Sequence, residues 1–155
     1  MQTGLIHLHN VLRWVILILL VVAVLRHLMG MMKKAPVTTG DKKVVKFLMI
    51  STHTNLLVGL VLYFIGNWGV KSFSTLGMGG VMKNAYARFF AVEHLIGMLI
   101  AVVLITIANA KVKRAKGSAI HKTAFLLLII ALIVILASIP WPFRGEIARP
   151  LFPGM

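Results

Sequence analysis

Apolar residues fall into four blocks, each about as long as the roughly 20 residues that cross a hydrocarbon core. They run over about 8–28, 47–66, 89–109 and 122–139, and each is bounded by polar or basic residues. The first contains WVILILLVVAVL and the last FLLLIIALIVILASI. Runs this long, with almost no charge inside, exceed what a buried helix of a water-soluble protein shows. The pattern predicts four membrane-spanning helices in one domain covering 1–155. With connections this short, consecutive helices are expected as antiparallel neighbours in an up-down-up-down, all-α four-helix bundle.

The breaks between blocks carry ordinary stop and start signals. KKAPVTTGDKK interrupts at Pro36 and Gly40 and restarts at Asp41, which reads as a helix N-cap. KVKRAKGSAIHK ends the third block on a basic run, favourable at a helix C-terminus, and offers Ser118 as N-cap of the fourth. The Gly-rich stretch 67–88 reads as an outer surface loop. After Ser138 the segment IPWPFRGEIARPLFPGM is too rich in proline to continue as helix, and Trp141 and Phe143 suit a membrane interface.

Composition agrees with the blocks. Hydrophobic residues make up 59% and charged residues 13%, about half the charged share of a soluble domain. There is no cysteine, which excludes disulfides, thiolate metal sites and thiol redox chemistry. The N-terminus has no basic region and no small-x-small cleavage site, so the first block is expected to be retained.

The net charge of +14 raises nucleic acid as a partner, but its distribution favours anionic lipid headgroups. Arg26, Lys33, Lys34, Lys42, Lys43, Lys46, Lys111, Lys113, Arg114, Lys116 and Lys122 flank two of the connections and make up eleven of the 17 Lys and Arg. By the positive-inside rule those connections lie in the cytoplasm and both termini on the outer, periplasmic side of a bacterial inner membrane.

Six histidines are the chemistry-bearing residues, and every span has at least one. With that topology, His7, His9 and His94 are outer, and His27, His53 and His121 inner. Phase favours His9 over His7: at 100° per residue His9 shares a face with His27, and His7 points almost opposite. His7 and His27 lie near the ends of the predicted span and read as interfacial. The expected pairs are therefore His9 with His94, and His53 with His121. Two imidazoles from facing helices at one depth are what a six-coordinate haem iron requires.

Near His94, Gly97, Ala101 and Ala108 form a small-residue strip that could admit a macrocycle or simply allow close helix packing. Arg13 lies one turn below His9 and needs an anion, from haem propionates or from Glu93, unless it reaches the headgroups. Glu93, beside His94, is a candidate for proton exchange with a quinone. The nine methionines read as packing rather than axial ligands.

HNVLRWVILILL, HTNLLVGLVLYF, RFFAVEHLIGMLIAVVLITIANAKVKRA and HKTAFLLLIIALIVILASIPWPFR resemble the successive signatures of small bacterial four-helix membrane proteins classed as cytochrome b. The likeness covers nearly the whole chain outside 67–84 and the tail, and RFFAVEH and IPWPF are its most specific segments. It implies a non-covalently held haem b, with His9, His53, His94 and His121 in the matching positions. It also implies electron transfer, often with a quinone, without naming a reaction. The expectation is a cytochrome with two haems toward opposite leaflets, or one if a single tier is filled. Its partners would be the bilayer, a quinone, a redox protein and, in an assembly, a second copy of the chain. Two other readings compete: a His/Glu protein moving protons or metal ions without haem, and a packing subunit of a respiratory assembly.

Overall fold

The computed structural model describes residues 2–152. Among them all regular structure is helical, and four helices are long and apolar enough to cross a membrane. These are α1 (Gln2–Lys33), α2 (Thr39–Ile65), the continuous span Ala85–Arg114, and α6 (Ile120–Ser138). The third span is composite: a single turn α4 (Ala85–Arg88), a π-helical turn (Phe89–Glu93), and α5 (His94–Arg114). Between α2 and that span lies the shorter α3 (Val70–Lys83).

The four long helices pack in the ring order α1, α2, α5, α6, each touching its two neighbours. Leu20, Leu48, Ile105 and Leu128, one from each helix, have no exposed surface and mark the axis of the bundle. Ala23, Ala108, Ala124 and Ala131 are equally hidden, and these small side chains let the backbones approach closely. The outer surface remains apolar: Ile18, Leu57 and Ile133 are each more than 60% exposed. α6 has a mean hydropathy of 2.6 in its most apolar window, yet only 28% of that window is buried inside the protein. A helix apolar on every side but buried on one suits a lipid surround rather than water.

The helices run further than the apolar blocks. α1 begins at Gln2 and continues to Lys33, so the first connection is only residues 34–38. α2 is capped by Thr38, not Asp41: the Thr38 hydroxyl accepts from the Asp41 amide at 3.2 Å, and the Asp41 carboxylate accepts from the Thr38 amide at 2.8 Å. Asp41 thus stands at the third helical position of a capping box, where it also accepts from Arg26 at 2.8 Å. Ser118 does not cap α6 through its side chain; its carbonyl accepts from the His121 amide, and the helix starts at Ile120.

The Gly-rich stretch expected as a loop is mostly helix. α3 spans it and is broken at Gly77, whose φ of 67° is a conformation that glycine adopts cheaply. Beyond Ser138 the chain leaves the helix as expected and makes a short 3-10 turn at Gly145–Ile147. The Arg149 amide donates back to Pro140 O at 2.9 Å. The last proline, Pro153, lies outside the described residues.

Candidate functional site: two histidine pairs

The histidines of α1 meet partners at both ends of the bundle, and the two meetings differ in kind. At the end holding the N-terminus, the His9 and His94 rings stand 6.2 Å apart between centroids, at 65°. The Nδ1–Cε1 edge of His9 lies against Gly59 of α2, where an added Cβ would come within 3.2 Å of Cε1. Ring size and helix spacing therefore require glycine or little more at 59.

His94 opens α5, and its amide donates to Phe89 O, five residues back, closing the π turn. That turn inserts one extra residue just before the histidine and resets the face on which it projects. The His94 Nδ1–H donates to Ser138 O at 2.8 Å. A carbonyl can only accept, so the neutral ring carries its proton on Nδ1 and Nε2 is left with a free lone pair.

A cavity of about 350 Å³ lies beside these rings, within the size range of small-molecule and cofactor sites. His9 and Arg13 of α1, Asn55 and Gly59 of α2, and His94 of α5 line it, as does Arg149 of the returning tail. Its remaining walls are mostly apolar. Four polar atoms around it are buried without a hydrogen-bond partner: His9 Nδ1, Arg13 Nε, Asn55 Oδ1 and Arg149 Nη2. Orphaned polar atoms at this density are unusual in a folded protein and point to a group that would satisfy them.

Metal–imidazole bonds of about 2 Å and a ring radius of about 1 Å put the centres of two rings facing one ion roughly 6 Å apart. His9 and His94 have that separation. No three His, Cys, Asp or Glu side chains cluster among the described residues, so a bare ion would be short of ligands. A planar macrocycle supplies four donors of its own and needs two from the protein.

At the other end His121 meets His27, not His53. The two Nδ1 atoms are 2.9 Å apart, a hydrogen-bond distance, and the ring centroids 5.0 Å. Two nitrogens opposed across one ion would stand about 4 Å apart, so a macrocycle does not fit between them. His27 and His121 have at most 1% of their surface exposed. Gly30 of α1 lies against the His121 ring, so closely that any Cβ there would overlap it. His27 is therefore a core residue rather than an interfacial one, because α1 continues past it to Lys33.

His53 lies on the exposed side of α2, its Nδ1–H donating to Met49 O at 2.8 Å and its Nε2 3.5 Å from the Thr106 hydroxyl. The expected pairing of His53 with His121 is not formed. His7 is exposed, in line with the sequence reading.

The remaining candidates resolve separately. Glu93 is 2.7 Å from Arg88, on the exposed side of the π turn, and does not meet Arg13. Arg13 instead donates to Leu151 O at 2.6 Å and lies 3.4 Å from Asn10 Oδ1. The small-residue strip divides. Gly97 is closed by Ser138 of α6 and Ala108 is in the core, both cases of helix packing, whereas Ala101 lines the cavity. Sequence reasoning missed Arg149, Asn55 and Gly59; the spacing of Asn55 and Gly59, four apart on one helix face, was the available signal.

Comparison with protein-family models, curated proteins and solved structures returned no match.

Proposed function

We propose that this chain is a multi-pass membrane protein of the bacterial inner membrane, both termini outside, that holds one haem b non-covalently between His9 and His94. We further propose that it serves electron transfer. The observation that carries the reading is the 6.2 Å separation of these two rings beside a mostly apolar cavity. A haem bound there supplies a one-electron iron couple.

The chain's own residues do the rest. His94, fixed as the Nδ1–H tautomer by Ser138 O, presents Nε2 as a neutral donor, and this hydrogen bond raises its basicity. His9 enters from the opposite helix and is held against Gly59. Arg13, with its Nε unpaired, offers charge to an acid group at the cavity edge. Apolar walls exclude water and favour a non-covalent, planar, largely hydrocarbon ligand.

The two-haem arrangement expected from the sequence is not retained, because the inner histidines bond directly to one another. Glu93, paired with Arg88, has no part in this reading.

The test is the colour and haem content of protein purified from haem-sufficient cells. One haem per chain with a reducible b-type spectrum is expected. His9→Ala and His94→Ala should each lose it, and His53→Ala, His27→Ala and His121→Ala should keep it. A colourless protein would refute the proposal and favour a lipidic ligand such as a quinone. Two haems, one of them lost with His53→Ala, would restore the paired-tier arrangement.

A further inference from the structure

We propose, resting on the haem reading above, that Arg149 is a carboxylate-binding residue of the same cavity. Together with Arg13 it would engage the two acid groups of the ligand, so that the site selects the free diacid over its ester.

Arg149 reaches the cavity from outside the long helices, on the tail segment that folds back after α6. Its guanidinium carbon lies 4.3 Å from the Trp68 ring centre, 5.1 Å from Tyr86 and 5.3 Å from Phe90. Three aromatic rings around one cation hold it by cation–π attraction and fix its place. They do not satisfy its N–H groups: Nη2 is buried with no hydrogen-bond partner. Arg13, the other cation of the cavity, likewise has Nε buried and unpartnered.

Among the described residues no carboxylate pairs with either cation. Of the chain's three acidic residues, Asp41 pairs with Arg26, Glu93 pairs with Arg88, and Glu146 makes no ion pair among the described residues. Burial already pushes the Arg149 pKa below its ordinary value, although a guanidinium keeps its proton. Two fixed cations in a mostly apolar cavity call for negative charge from the ligand, and a planar guanidinium matches a carboxylate with two parallel donors. The number of cations equals the number of acid groups on a haem.

The experiment titrates full-length apoprotein in detergent with haem and with haem dimethyl ester, following the absorbance of the bound form. The wild type should prefer the free acid by about tenfold or more, the size of one charge-assisted hydrogen bond. Arg149→Gln should weaken haem about tenfold and leave the ester unchanged. Arg149→Lys should recover part of the preference, and Arg13→Gln with Arg149→Gln should remove it.

Affinity for the ester is the internal check on folding. Equal wild-type affinity for acid and ester overturns the proposal while leaving the haem reading intact. So does an Arg149→Gln that weakens both alike, which would make the residue merely structural. If neither compound binds, the haem reading falls and this inference falls with it.

Discussion

Replacing Gly30 by alanine tests whether the inner histidines are sealed against each other. A Cβ at 30 would sit 2.6 Å from both ring nitrogens of His121 and closer still to Cε1. The ring cannot swing aside, since His121 is 1% exposed and bonded to a His27 that is wholly buried. Two costs follow: overpacking of about 1–3 kcal/mol, and about 1–3 kcal/mol more if the ring separation breaks the His–His bond and leaves buried nitrogens unsatisfied. Against them stands about 1 kcal/mol gained by alanine over glycine inside a helix. With both costs the balance is unfavourable, and Gly30→Ala should lower stability by about 1–5 kcal/mol net. The assay is reversible unfolding in mixed micelles, read by far-ultraviolet dichroism. Gly4→Ala and Gly79→Ala serve as controls, because nothing lies within 4 Å of a Cβ at either position. They should be neutral or slightly stabilising. Haem content per chain should not change. If Gly30→Ala is as stable as the wild type, the His121 ring does not occupy that place; if it removes a haem, the inner end holds a cofactor after all.

Other perturbations separate neighbouring causes. Gly97→Ala should weaken haem binding, because its Cβ would strike the Ser138 hydroxyl and push apart the helices joined by the His94 to Ser138 O bond. Combining it with Ser138→Ala removes the obstructing oxygen and should recover most of the affinity; no recovery would mean that Gly97 acts otherwise. Asp41→Ala should cost about 1 kcal/mol by removing the reciprocal cap at Thr38. Part of that loss should vanish in high salt, since the ion pair joins an Arg26 side chain 37% exposed to an Asp41 side chain 6% exposed and is screened from the Arg26 side. If high salt abolishes the difference, the ion pair and not the cap was responsible.

Four spans, their order in the bundle and the short connections were legible, because each rests on local composition and length. The His9–His94 pair was legible too: depth follows from topology, and helical phase chose His9 over His7. The same phase argument placed His27 on the face of His9, eighteen residues or five turns on. The apolar block reads as ending near 28, which puts His27 at an interface, whereas α1 continues through Leu28, Met29, Gly30, Met31 and Met32 to Lys33. His53 shows the opposite failure. Its depth matched His121, but Thr52 and Asn55 are the buried polar residues of that stretch, and His53 lies between them on the outer face. The π turn and the return of Arg149 were not legible. The first is a one-residue shift with no composition of its own in FFAVE, and the second depends on where a proline-rich tail settles.

The two ends of the bundle arrange a pair of histidines differently, and the cause lies in what flanks them. At the end away from the N-terminus α1 and α6 bring His27 and His121 to direct contact, with Gly30 removing the last obstacle between helix and ring. At the end holding the N-terminus the His94 ring bonds to Ser138 O of α6 and the His9 edge lies against Gly59 of α2, and the two rings do not bond to each other. The gap between the His9 and His94 rings lies beside the cavity, whereas His27 and His121 touch. A cofactor confined to that gap sits near one end of the spans. On the proposed reading it would exchange electrons near that end, and a relay along the whole bundle would need a second centre. If the proposed haem is bound there, electron transfer between a donor and an acceptor that both reach that end of the bundle is the form of activity that one such site would support.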